Sequence, residues 1–231
     1  MNIVLREEKK FLITLLDSSR LASKLQSTLS PDEHNTANGY SVRSLYFDTL
    51  DDKDYHDKVD GFELRRKIRL RVYDAQSDFA MLEMKQKEGA FQKKRSLRLK
   101  RIDAEQLTLG NSTPLLQYPD PFAAECFALI QRFVYRPKTI VEYRRQAFQA
   151  KENHIRITLD TDIIATETNL NLFDPHLNMT PVLDPFNAVL EVKFNGFLLS
   201  YIKDILQMTN RSEISVSKYC LARGFTHEYH L

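Results

Sequence analysis

The chain has 231 residues and a mass of 27.0 kDa, enough for one large domain or two small ones. With 42% hydrophobic and 28% charged residues, 6 Gly and 8 Pro, it is neither a disordered nor a collagen-like chain, and its short apolar runs exclude a membrane-spanning helix. The net charge of +2 is unevenly placed, because residues 61–101 hold 13 basic and 5 acidic residues, which suits an anionic ligand better than general coating by nucleic acid.

Two cysteines, Cys126 and Cys220, form neither a disulfide framework nor a zinc pattern, and the first residues lack the apolar stretch of a secretory leader. A reduced, cytoplasmic protein is the expectation. The six histidines are scattered, with no metal-site spacing.

In chain order, Ile3 to Leu15 reads as a strand with Arg6, Glu8 and Lys10 on one face, followed by a helix from about Leu16 to Leu29. Pro31 to Gly39 is a polar loop, Ser41 to Asp48 a strand, and Asp51–Asp60 a short surface helix or loop. Residues 61–74, GFELRRKIRLRVYD, alternate most clearly: Phe62, Leu64, Ile68, Leu70 and Val72 share one parity, and Glu63, Arg65, Lys67, Arg69, Arg71 and Tyr73 the other. Side chains of a strand alternate between its faces, so one face is a row of cations.

The pattern recurs. Glu83, Lys85 and Lys87 oppose Leu82 and Met84, and Lys94, Ser96, Arg98 and Lys100 follow in a second strand joined near Gly89. Residues 104–120 are expected to be irregular around Pro114 and Pro119, with a short helix over Phe122–Gln131. Strand character returns in VEYRRQAFQ, in HIRITLD and in AVLEVKFNG, where Glu191, Lys193 and Asn195 oppose Leu190, Val192 and Phe194. A helix from Phe197 to Met208 and a short one near Lys218 close a single β-rich domain over residues 1–231.

A row of cations on one strand is ordinary solvated surface. Arg65, Lys67, Arg69 and Arg71 in consecutive same-face positions repel one another, however, and a bound polyanion offsets that. Arg offers planar, bidentate donors to phosphate oxygens and Lys a mobile point charge. Glu8, Glu83 and Glu191 within such faces either pair with neighbouring cations or hold a divalent ion that bridges to phosphate.

REEKKF (6–11), SLYFDT (44–49), GFELRRKIRLRVY (61–73), LEMKQKE (82–88), KKRSLRL (93–99), VEYRR (141–145), IRITLD (155–160), LEVKF (190–194) and SVSKY (215–219), in this order, resemble the VTC domain, the polyphosphate polymerase branch of the CYTH or triphosphate tunnel metalloenzyme superfamily. The start carries one glutamate where the wider superfamily has two. The resemblance implies a mainly antiparallel β fold with peripheral helices (α+β), closed as a single β-barrel tunnel. It implies transfer of the terminal phosphoryl group of ATP to polyphosphate, with one divalent cation, Mn²⁺ or Mg²⁺. Lys218, Arg69, Arg71 and Lys10 would be catalytic. Arg6, Arg65, Lys67, Lys85, Lys87, Lys94, Arg98, Arg145, Arg156, Lys193 and Ser217 would bind substrate, and Glu191, Glu83 and Glu8 the metal. The partners implied are ATP, inorganic triphosphate or polyphosphate, with no nucleic acid expected and any membrane-protein partner unassigned. A metal-dependent triphosphatase and a non-enzymatic polyphosphate-binding module are the alternatives.

Overall fold

A computed structural model describes residues 6–89, 91–209, 212–215 and 217–228. Strands β1 (Arg6–Thr14), β2 (Ser30–Pro31), β3 (Tyr40–Asp48), β4 (Arg65–Val72), β5 (Phe79–Glu88), β6 (Phe91–Lys100), β7 (Arg136–Ala150), β8 (Ile155–Thr166), β9 (Thr180–Pro181), β10 (Asn187–Asn195) and β11 (Ser212–Glu213) are joined by six α-helices. These are α1 (Leu15–Gln26), α2 (Lys53–Val59), α3 (Arg101–Thr108), α4 (Pro121–Arg132), α5 (Ser200–Gln207) and α6 (Lys218–Glu228). The mixed α+β character expected from the sequence is present.

The expected closed barrel is not. Among the described residues the hydrogen-bonded strand order is β11-β1-β10-β8-β7-β3-β4-β5-β6, with β2 on β7 and β9 on β8. The order ends on β6 at one side and β11 at the other, so the sheet is open. Closure requires the end strands to offer matching ladders, and β11 has two residues against the ten of β6. The tunnel inferred from resemblance therefore falls with the barrel.

Contacts divide the chain into two compact units. The first comprises Met1–Ser41, Tyr143–Ile163 and Leu183–Val216, and the second Val42–Glu142, Ile164–Val182 and Ser217–Leu231. In the first, β1 pairs antiparallel with β10 and β10 with β8. Leu21 and Leu25 of α1 and Ile202 and Leu206 of α5 pack with Phe11, Ile13, Ile157, Leu159, Leu190 and Val192 of the strands. Thr14 ends β1 and caps α1, its hydroxyl accepting from the Asp17 amide at 3.1 Å.

In the second unit β3, β4, β5 and β6 form an antiparallel run. The alternation in β4 becomes burial: Ile68, Leu70 and Val72 join Leu45, Leu82, Met84 and Leu99 in a core closed by Ala104 and Leu107 of α3 and by Phe122, Cys126 and Ile130 of α4. Asp120 and Pro121 open α4, the Asp120 carboxylate accepting from the Phe122 amide at 2.8 Å. Phe62 and Leu64, grouped with the apolar face by parity, precede the strand and are exposed. Helix α3 occupies residues expected to be irregular, and a 3₁₀ turn over Thr113–Gln117 accommodates Pro114.

Candidate functional site

The register of the second unit turns the single cationic row into a two-dimensional surface. Residues directly opposite in an antiparallel pair share a face. Ser44, Arg71, Met81 and Arg98 form one cross-strand row, and Tyr46, Arg69, Glu83 and Ser96 the next. Lys67, Lys85 and Lys94 form the third row, and Arg65, Lys87 and Gln92 the fourth. Like charges directly opposite destabilise a sheet, so the lysine row asks for a compensating anion.

Glu83 supplies part of it. Its buried carboxylate is held by Arg69 at 2.7 Å, Lys94 at 2.5 Å and Arg71 at 3.5 Å. Burial opposes its charge, but these three cations win and hold the carboxyl down to about 2. Tyr46 accepts from Arg69 at 3.1 Å; burial raises its phenol, while Arg69, Lys67 and Arg71 outweigh this and lower it. Asp48, at the end of β3, is saturated by the amides of Thr49, Asp54 and Tyr55 at 2.7–2.9 Å and by the Tyr219 hydroxyl at 2.6 Å. Both carboxylates on this face are thus engaged.

The start of α6 belongs to the same surface. Lys67 donates to the Ser217 hydroxyl at 2.5 Å, and Ser217 accepts the Cys220 amide at 3.3 Å, which caps the helix. Lys218 is the first helical residue. Tyr219 stacks on Tyr46 with ring centroids 5.1 Å apart, and Lys67 lies 6.0 Å over the Tyr219 ring. Arg65 donates to the Phe62 carbonyl at 3.2 Å, and exposed Arg98 sits 3.7 Å over the Phe79 ring. Ser44, Tyr46 and Tyr219 were not singled out from sequence. The shared parity of Ser44, Tyr46 and Asp48 in SVRSLYFD was the available signal.

In the first unit Lys10, Arg145, Arg156 and Lys193 each meet a carboxylate. Arg145 grips Asp160 bidentately at 2.7 Å and 2.7 Å; burial disfavours its charge, yet Asp160 raises its pKa well above the ordinary arginine value. Arg156 meets Asp32 at 2.8 Å, Lys10 meets Glu8 at 3.0 Å, and Lys193 pairs with Glu191. Glu191 is the Cα partner of Lys10, and Glu8 that of Lys193. Arg6 opens β1 opposite Asn195, and its side chain lies outside the described residues.

Metal binding, and manganese in particular, was expected from the sequence and is not borne out. Among the described residues no group of three or more His, Cys, Asp or Glu is placed to hold an ion. The physical reason is that each of the three glutamates faces cations of its own sheet: Glu83 meets three, Glu8 meets Lys10 and Glu191 meets Lys193. The described residues do not compose a metal-ligand set. Among the described residues no helix is long and apolar enough to cross a membrane.

The VTC domain profile matches residues 5–227. No curated protein matches the sequence. Among solved structures, a candidate adenylyl cyclase from Hippeastrum, with a dominant triphosphatase activity, is 13% identical, with a TM-score of 0.58 over 94% of each chain, and shares the fold. Candidate adenylate cyclases from Bacillus halodurans (15% identity, TM-score 0.48, 88% of each chain) and Vibrio parahaemolyticus (12%, 0.46, 88% of this chain and 86% of that one) also align.

Proposed function

The chain belongs to the VTC domain family, and from that premise we propose that it is a triphosphatase whose substrate lies on the cationic face of the second unit. Membership gives it the general character of a CYTH-like phosphoryl-transfer or hydrolase enzyme, with ATP- or triphosphate-related partners in general terms. The observation that carries it is the imbalance of charge: Arg65, Lys67, Arg69, Arg71, Lys85, Lys87, Lys94 and Arg98 share a face with Glu83 and Asp48, and both carboxylates are already engaged. The dominant triphosphatase activity of the Hippeastrum protein, which shares the fold, supports hydrolysis.

Hydrolysis needs little covalent chemistry from the protein. Water attacks the terminal phosphorus in line, the bridging P–O bond breaks, and orthophosphate leaves with pyrophosphate, or with a nucleoside diphosphate when ATP is the substrate. Arg69 and Arg71 are assigned to the non-bridging oxygens, with Lys67, Lys85 and Lys94 neutralising the remaining charge. Ser217 and Lys218 are assigned to the reacting end, because Ser217 is tied to Lys67. Lys10, Arg145, Arg156 and Lys193, each matched by a carboxylate, receive structural roles. The superfamily uses divalent cations, and no step is routed through one here because the carboxylates do not compose a site.

A second reading, polyphosphate synthesis, is favoured by the length of the ladder. Four same-face cations from Arg65 to Arg71 span ~20 Å at ~3.3 Å per residue, more than a triphosphate occupies. Purified protein incubated with inorganic triphosphate or ATP and Mg²⁺, followed by phosphorus NMR, tests both. The expected result is orthophosphate without lengthening chains, reduced on the order of 10²-fold in Arg69→Ala. Growing inner-phosphate signals select synthesis instead, and no turnover of either substrate overturns the catalytic reading.

A further inference from the structure

Buried polar atoms without a hydrogen-bond partner are costly, roughly 1–3 kcal/mol each, and ask for an explanation. Two such atoms in the second unit belong to direct cross-strand partners on one face: Ser44 Oγ on β3 and Arg71 Nε on β4. Ser44 is wholly buried and Arg71 is 8% exposed. The Arg71 guanidinium reaches Glu83 only at 3.5 Å through Nη2, which leaves Nε unsatisfied. The unpartnered arginine Nε atoms of Arg95 and Arg223 differ, since their terminal nitrogens are bound closely by Glu125 and Gln86, and by Asp52 and Glu167. Ser44 lies on the polar side of the strand, one row from Arg69, Tyr46 and Glu83.

We infer that Ser44 and Arg71 form an inner phosphoryl subsite, in which Ser44 Oγ–H and Arg71 Nε–H donate to non-bridging oxygens of one phosphoryl group of the bound triphosphate. This rests on the phosphoryl-transfer reading and adds a residue to it: Ser44 is a binding residue supplied by a strand that contributes no cation to this face. A hydroxyl and a guanidinium edge on neighbouring strands, ~5 Å apart at their Cα atoms, present donors to a tetrahedral oxyanion from two directions. The lysine rows supply mobile point charges, whereas this pair supplies fixed direction.

The test is Ser44→Ala, which removes one oxygen from a buried site and so leaves folding intact. Binding of inorganic triphosphate is measured by calorimetry, and Tm with and without triphosphate, for wild type and variant. The subsite requires triphosphate affinity to fall on the order of tenfold, as for loss of one hydrogen bond to an ion. It also requires the ligand-free Tm to hold or rise, because an orphaned polar atom has been removed. Unchanged affinity overturns the inference, and so does an equal loss of Tm with and without triphosphate, which assigns the hydroxyl to a water-bridged role in the fold. Wild-type protein that binds no triphosphate overturns the phosphoryl-transfer reading itself, a result distinguishable from failure of Ser44 alone.

Discussion

Glu83 holds the cationic face together in the absence of ligand. It is 5% exposed and shared by Arg69, Arg71 and Lys94. Its folded carboxyl titrates at about 2 against 4.5 ordinarily, so it stabilises the fold above pH 4.5, and that contribution, about 3 kcal/mol, is lost as pH falls toward 2. Glu83→Gln keeps the shape and removes the charge. Expected is a loss of roughly 3–5 kcal/mol in ligand-free stability, the usual cost of breaking a buried ion cluster. Saturating triphosphate should recover part of it, by restoring negative charge to the same three cations. Denaturant unfolding with and without triphosphate checks both, and no recovery would place the ligand elsewhere. From sequence, the parity of Glu83 with Lys85 and Lys87 was legible, but its commitment to three cations was not. That commitment arises from the register with Arg69 and Ser96, a property of strand pairing and not of any one strand.

Among the elements, α2 shows how a strand end can govern a helix. Asp52, at the N-cap position, is in a left-handed conformation (φ 50°) and makes no side-chain cap. Asp48 instead receives the amides of Asp54 and Tyr55, and through the Tyr219 hydroxyl it also fixes α6. This places a second carboxyl, Asp54, in a buried position against Asp48, where it accepts from Tyr135 at 2.9 Å. Burial, then the Asp48 charge, raise Asp54 to about 8. The raised pKa means the folded state holds a proton that the unfolded chain releases. Stability from this source is complete below about pH 4, and it is lost as pH rises toward 8. Asp54→Asn keeps an acceptor for Tyr135 and cannot ionise. Its Tm should therefore vary less than the wild-type Tm between pH 5 and 8, a comparison available from thermal melts across that range. A parallel pair of curves would remove Asp54 from the account. The sequence here reads as a short surface helix or loop and does not reveal the Asp48 anchor, because Asp48 reads as the last residue of a strand.

Across the whole molecule, alternation and charge were legible in the residues, and closure was not. Period-two patterning states which side of a strand is wet; it is silent on whether the first and last strands of the order can pair. The two-residue β11 and the ten-residue β6, at opposite ends of that order, decide the matter. The distribution of counter-charges was also hidden, and it separates the two units chemically. In the first, Arg145 meets Asp160, Arg156 meets Asp32, Lys10 meets Glu8 and Lys193 meets Glu191. In the second, Lys85 stands between Lys67 and Lys94 in the register. One carboxylate for each of these cations in the first unit leaves little charge for a ligand, whereas Glu83, shared by three cations beside the lysine row, leaves an excess for an anion. Arg145→Ala takes the bidentate partner from buried Asp160, so its Tm should fall on the order of 10 °C. Lys85→Ala removes the middle charge of the lysine row, so KM for triphosphate should increase roughly tenfold while Tm changes far less than in Arg145→Ala. Raising NaCl should weaken wild-type binding more than Lys85→Ala binding, since the variant has less surface charge to screen. Thermal melts and KM measured on the two variants test this directly, and the reverse pattern, with Arg145 setting KM and Lys85 setting Tm, would move the substrate to the first unit.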